Sequence, residues 1–188
     1  DRRALYIAWS GGVDSTALIL QCIRENTPFR TFGIYGNMSC GADRDRAARK
    51  RLVDKLGIRR RHHEIRIHHP SRHYCNGGDA DIGAQCLLWI GQMGMVIEDG
   101  IDVAMSYIRD DVYWHARHTV ESLFAWYREF KRCDSQLLYP LEWHSKRETI
   151  DMVRKARLLR SVNFCEQTPV GKPPCRKCES CLKHFANV

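Results

Sequence analysis

A glycine pair set between two apolar runs constrains this chain more than any other feature. Ala4-Leu5-Tyr6-Ile7-Ala8-Trp9 has the unbroken apolar character of a strand covered on both faces, and Ala17-Leu18-Ile19-Leu20 suits a buried helix. Ser10-Gly11-Gly12-Val13-Asp14-Ser15-Thr16 joins them. Two glycines let the backbone turn and bring N–H groups against an anion, while Ser10, Ser15 and Thr16 add hydroxyl donors. The helix that starts near Ser15 directs its positive end and unpaired amides at the same point. Asp14 runs against this logic, because a carboxylate repels a phosphate unless it binds a cation or positions the loop. A magnesium ion bridging Asp14 to phosphate would remove the conflict. The segment lacks the lysine of a Walker loop and the spacing of a GxGxxG fingerprint.

Strand and helix patterns alternate along the rest of the chain. Strands are expected over residues 4–9, 31–35, 61–67, 101–105 and 137–139, and helices over 15–26, 42–56 and 82–99. Val120, Leu123, Phe124 and Tyr127 have helical spacing, and Ser145 with Glu148 carries the capping-box signature of a last helix. The fold class is therefore α/β: a mostly parallel five-stranded sheet with helices on both faces, Rossmann-like. Ligands of such sheets bind beyond the carboxyl ends of the strands, so the loops after Trp9, Tyr35, Ile67, Met105 and Tyr139 should share one rim.

A length of 188 residues suits one domain able to bury a substantial core. The formal charge of +8 fits an anionic ligand, whether nucleotide, pyrophosphate or nucleic acid. Arg44, Arg46, Arg49, Lys50 and Arg51 alternate with Asp43 and Asp45, which suits a solvated helix face better than a nucleic-acid footprint. No apolar run reaches the length of a membrane span and no signal segment opens the sequence, so a cytoplasmic protein without a membrane partner is expected.

Of the nine cysteines, Cys165, Cys175, Cys178 and Cys181 stand in metal spacing, with two overlapping Cys-x-x-Cys steps. Four thiolates around one ion give a closed structural zinc site with no position left for water. An iron–sulfur cluster or two disulfides would draw on the same residues. His62, His63, His68, His69 and His73, with Cys75, fit no familiar ligand spacing and suit polar strand-end and loop positions.

The loop from Ser10 to Thr16 resembles the PP-loop of the N-type ATP pyrophosphatases, which split ATP between its α and β phosphates and adenylate a substrate oxygen. Together with Tyr35-Gly36-Asn37, Tyr139-Pro140-Leu141, the helix start from Ser145 to Ile150 and the four cysteines, it makes the chain similar to the 7-cyano-7-deazaguanine synthase family. That resemblance implies ATP, Mg2+ and Zn2+ as cofactors, 7-carboxy-7-deazaguanine and ammonia as substrates, and a homodimer. The carboxylate would become an acyl adenylate, then an amide, and after a second activation a nitrile. Residues 1–160 would form the ATP-binding domain and 161–188 a zinc-binding segment packed on it.

Carried over by residue, Ser10, Gly11, Gly12, Asp14, Ser15 and Thr16 would hold pyrophosphate and magnesium, with Tyr35 also in the nucleotide site. Asp14, Ser15 and Lys146 would serve the chemistry, Lys146 by offsetting charge on the departing phosphates. The family pattern is not matched at Asn76 to Asp81 or at Ser106 to Asp111. In the second of these, Tyr107 offers a ring to stack on a base, and Asp110 or Asp111 a carboxylate for guanine-type N–H groups. Other readings are an adenylating enzyme that stops at the amide, ligates a deazaguanine or transfers sulfur through Cys40 or Cys75, and a zinc-containing nucleic-acid module without chemistry. The last leaves the glycine loop unexplained.

Overall fold

The computed structural model describes residues 3–36, 42–67, 89–94, 97–115, 117–165 and 167–188. Five strands, β1 (Ala4–Ala8), β2 (Phe29–Gly36), β3 (His62–Ile67), β4 (Ile101–Ala104) and β5 (Leu137–Leu138), form one sheet in the order β3-β2-β1-β4-β5. All four pairings are parallel. Among the described residues the helices with defined ends are α1 (Val13–Arg24), α2 (Ala42–Leu56), α3 (Val112–His115), α4 (Arg117–Lys131), α5 (Lys146–Lys155) and α6 (Glu179–Ala186), with a 3-10 turn at Arg59–Arg61. Residues 89–94 are also helical.

Period-two alternation along β1 sets the layers. Leu5, Ile7 and Trp9 enter a core with Ala17 and Leu18 of α1, Leu52 of α2, and Ile150 and Val153 of α5. Tyr6 and Ala8 face the opposite core, with Ile90, Met93 and, from α4, Val120 and Phe124. Helices therefore cover both faces, and β1 is buried from both sides. Each fully buried Val, Leu, Ile, Phe or Met side chain contributes about 1.5–3 kcal/mol, which makes these two cores the main support of the sheet.

Strand order also places the site. From β1 the chain winds outward through β2 and β3, then crosses to β4 and β5 on the other side. The crevice at that reversal opens beyond the carboxyl end of β1, where Ser10 begins.

Several boundaries differ from the sequence reading. The first helix starts at Val13, because the apolar Val13 packs into the core and extends it ahead of Ser15. It ends at Arg24, with Asn26 left-handed at φ +52°. The helix expected to reach residue 99 stops earlier, since 97 and 98 lie outside regular structure and 99–100 form a turn. Ser145 does cap α5: its Oγ accepts from the Glu148 N–H at 3.3 Å, and Glu148 Oε2 accepts from the Ser145 N–H at 2.7 Å. That helix is not the last. The eight-residue α6 follows, inside the cysteine segment. No helix among the described residues is long and apolar enough to cross a membrane.

Candidate functional site

The glycine loop is held in shape by its own hydroxyls. Ser10 Oγ accepts the Gly12 N–H at 3.1 Å and lies 3.0 Å from Ser15 Oγ, while Trp9 Nε1 donates to Thr16 Oγ1 at 3.2 Å. Gly11 sits at φ +86°, and a Cβ there would lie 2.8 Å from the Asp45 carbonyl oxygen. Any other residue at this position meets both backbone strain and a collision. The first turn of α1 begins at Val13 and carries Asp14.

Asp14 has a cation of the chain itself as partner. Lys146 Nζ donates to Asp14 Oδ2 at 2.5 Å, and Thr149 Oγ1 donates to Oδ1 at 2.7 Å. Lys146 and Thr149 are one turn apart at the start of α5, so a single helix face clasps both carboxylate oxygens. The mismatch between a carboxylate and an anion loop is thus met by an ion pair whose two side chains are only 21% and 14% exposed. Sequence reading found Lys146 but missed Thr149, which is fully buried and looks like an ordinary helix residue.

A second support comes from the arginine-rich helix, where the expected solvated face holds for Lys50 and Arg51, which are exposed, but is overturned at Arg49. Arg49 is fully buried, and its guanidinium donates to both Glu64 carboxylate oxygens at 2.7 and 2.9 Å, to the Ser10 carbonyl at 3.0 Å and to the Ile34 carbonyl at 3.1 Å. Gly33 makes room, since a Cβ there would lie 2.1 Å from Arg49 Nε. Arg46 lies over the Tyr35 ring at 3.9 Å, and Arg51 donates to the Ser161 carbonyl at 3.2 Å. His62 completes the Glu64 cluster at 2.9 Å, with its other ring nitrogen 2.9 Å from Thr31 Oγ1.

Burial pushes the Glu64 carboxyl up, but hydrogen bonds from His62 and Arg49, and their charges, outweigh it and hold the group at about 2. Because this lies below the ordinary value of 4.5, the contribution to stability is complete above about 4.5 and is lost as pH falls towards 2. Glu64→Gln leaves Arg49 buried without its counter-charge, and is expected to destabilise by about 3–5 kcal/mol. Thermal melts across that pH range check both points. A variant with wild-type stability and an unchanged acid limb would refute the role of the pair.

At the C-terminus, the Sγ atoms of Cys165, Cys175, Cys178 and Cys181 lie within 4.8 Å of one another. Cys175 and Cys181 are 3.8 Å apart, close to the edge of about 3.8 Å that a tetrahedron with Zn–S bonds near 2.3 Å requires. The Cys175 N–H donates to Cys165 Sγ at 3.4 Å, and the Cys178 N–H to Cys175 Sγ at 3.3 Å. Burial raises the Cys165 thiol, yet the Thr168 hydroxyl and neighbouring backbone amides overcome it and bring it down to about 6. Amides of Lys177 and Cys178 likewise lower Cys175, whereas burial raises Cys181. The donor set fits a metal ion. Near it, His184 stacks on Phe164 with ring centroids 3.6 Å apart; burial, then the charges of Lys146 and Arg154, lowers it to about 4.

On the far side of the rim, Tyr107 stacks on Tyr139 at 6.0 Å and Trp114 meets Tyr139 edge-on at 5.6 Å. Arg109 lies over the Trp143 ring at 3.2 Å, and Trp143 is 71% exposed. Asp110 is exposed and Asp111 half-buried; burial lowers Lys183 of α6, but its hydrogen bond and charge pairing with Glu179 raise it, with smaller contributions from Asp111 and Asp110. Cys40, His68, His69, His73, Cys75 and the Asn76 to Asp81 segment lie outside the described residues.

No protein-family model and no curated protein sequence matches the chain. Solved structures do. NMN synthetase from Francisella tularensis matches with a TM-score of 0.55 and 14% identity, over 93% of this chain and 71% of its own. The U34-tRNA thiolase of Methanococcus maripaludis, determined with its 4Fe-4S cluster, matches with a TM-score of 0.53 and 15% identity over 100% of this chain. This chain has their fold. It spans 65% of the thiolase's length, just under two thirds.

Proposed function

We propose that the chain is an ATP-dependent adenylating enzyme that converts 7-carboxy-7-deazaguanine and ammonia to 7-cyano-7-deazaguanine, with AMP and pyrophosphate released. The observation that carries the ATP half is the Asp14–Lys146–Thr149 clasp at the mouth of the hydroxyl-lined glycine loop. Loop amides and the half-buried Ser10 hydroxyl bind the phosphates beyond the scissile bond, while the Thr16 hydroxyl, buried against Trp9, braces the loop from behind. Lys146, already poised at the loop, stabilises the charge that develops on the departing pyrophosphate. Asp14 holds Lys146 in place; its carboxylate would also be the hard oxygen donor for a magnesium ion, which would add charge neutralisation. Tyr35 and Arg46 line the nucleotide side of the rim.

For the acceptor, the Tyr107–Tyr139 stack and the Arg109–Trp143 pair supply flat surfaces for a purine-like ring and a cation for its carboxylate. Asp110 and Asp111 offer acceptors for its N–H groups. Ammonia displaces AMP from the acyl adenylate to give the amide. In the second round the amide oxygen leaves with AMP, and as both N–H protons are lost the carbon–nitrogen triple bond forms. The four cysteines hold zinc as a structural ion.

Incubation with ATP, magnesium, ammonium and 7-carboxy-7-deazaguanine is expected to yield amide and then nitrile by mass, with two AMP per nitrile. Amide alone would remove the second step from the assignment. AMP release without either product would overturn the choice of acceptor, and no AMP release would overturn the ATP reading itself.

A further inference from the structure

We propose that Asn163 couples the four-cysteine metal site to the glycine loop, so that metal loading sets the loop's affinity for nucleotide phosphates. The inference rests on the reading of that loop as an ATP site.

Asn163 is 7% exposed and stands two residues before the metal ligand Cys165. Its backbone N–H donates to the Gly11 carbonyl at 2.9 Å, inside the loop. Its side chain is fully committed. Nδ2 donates to Asp45 Oδ1 at 2.6 Å and to the Cys165 carbonyl at 3.2 Å, and Oδ1 accepts from the Cys165 N–H at 3.3 Å and from Arg44 Nε at 3.1 Å. One residue thus joins three things: the left-handed Gly11 turn, the α2 segment whose Asp45 carbonyl closes over Gly11, and the backbone of a candidate metal ligand.

Arg44 extends the connection across the loop between Cys165 and Cys175. Its Nη1 donates to Thr168 Oγ1 at 2.8 Å, the Pro169 carbonyl at 3.1 Å and the Lys172 carbonyl at 2.7 Å. Those carbonyls converge on one guanidinium only while the Cys165–Cys175 loop is closed, and a bound metal would be the cross-link that holds it closed. Loss of the ion releases the loop, then Arg44, then the frame that aligns Asn163 with Gly11. A loosened phosphate loop must be ordered again by its ligand, and affinity falls by that cost. Asn163 acts here as a positioning residue, since the phosphates would meet the loop rather than its side chain.

The probe is α,β-methylene-ATP with magnesium, which cannot be split at the reacting bond, measured by calorimetry on metal-loaded protein. Asn163→Ala, with metal content verified, is expected to weaken binding by about tenfold. Metal removal from the wild type should weaken it at least as much, whereas removal from the variant should add little, because both changes break one connection. Linkage supplies a test that needs no variant: saturating α,β-methylene-ATP should raise the wild type's resistance to a competing chelator by the same factor by which metal raises nucleotide affinity. Chelator resistance that ignores the nucleotide, or strictly additive effects of variant and metal removal, would overturn the coupling alone. Failure of the loaded wild type to bind α,β-methylene-ATP would overturn the nucleotide reading and the coupling with it.

Discussion

Asp14→Ala is expected to lower kcat for ATP-dependent turnover by about 10²–10³-fold while the apparent KM for ATP stays level or falls. Removing the carboxylate leaves Lys146 without the partner that fixes its position and offsets its charge. A freed ammonium draws ground-state phosphates more strongly, yet it no longer sits where charge develops as pyrophosphate departs. Lys146→Met should lose a similar factor in kcat but raise KM, since it deletes the attraction itself. The two act as a unit, so the double variant should be little worse than either single one. Steady-state kinetics, with thermal melts to establish that the fold survives, decide the matter. An Asp14→Ala protein with unchanged kcat would remove the clasp from the mechanism.

Stripping the metal should have an effect of comparable size on structure. Helix α6 has eight residues, too few to persist alone in water; Cys178 stands at its N-cap position without a side-chain capping bond, and the helix contains Cys181. A bound ion would fix both ends of its first turn to Cys165 and Cys175, and such binding contributes on the order of 10 kcal/mol to the ordering of a small knuckle. Chelation, or Cys178→Ser, is expected to lower the melting temperature and expose the stretch between Cys165 and Cys175 to proteolysis. Metal analysis of protein purified without chelator should find one zinc per chain. Iron and sulfide in place of zinc would replace the closed structural site by a cluster.

The clearest parts of the sequence were those in which local chemistry and tertiary use coincide. The glycine loop, the Ser145 capping box and the cysteine spacing each announce themselves within a few residues, because backbone geometry or ligand geometry dictates their residue types. The alternating apolar runs likewise led to a five-stranded parallel sheet. What local pattern hid was partnership across the chain. Arg49 sits in a charged run, and nothing in that run shows that Gly33 leaves it a cavity or that Glu64 waits on the neighbouring strand. Thr149 and Asn163 are small polar residues without a motif of their own, given meaning only when α5 and the cysteine segment fold against α1 and α2. Helix α6 was concealed by its cysteines, whose metal spacing drew attention away from the helical recurrence of Leu182 and Phe185.

Two helices, α1 and α5, turn their amino ends towards the same place, with Asp14 and Lys146 in their first turns. Their dipoles alone would make this a well of positive potential in the resting protein, ready to trap any passing anion. Asp14 fills that well in advance, as a resident stand-in for the guest. An incoming ligand must therefore compete with an attached carboxylate for Lys146, and a singly charged ion gains too little to win. A polyphosphate, presenting several charges along the whole loop at once, can share the lysine without evicting its keeper. Selectivity for nucleotide over the cell's abundant simple anions would then arise from occupancy by the protein's own side chain.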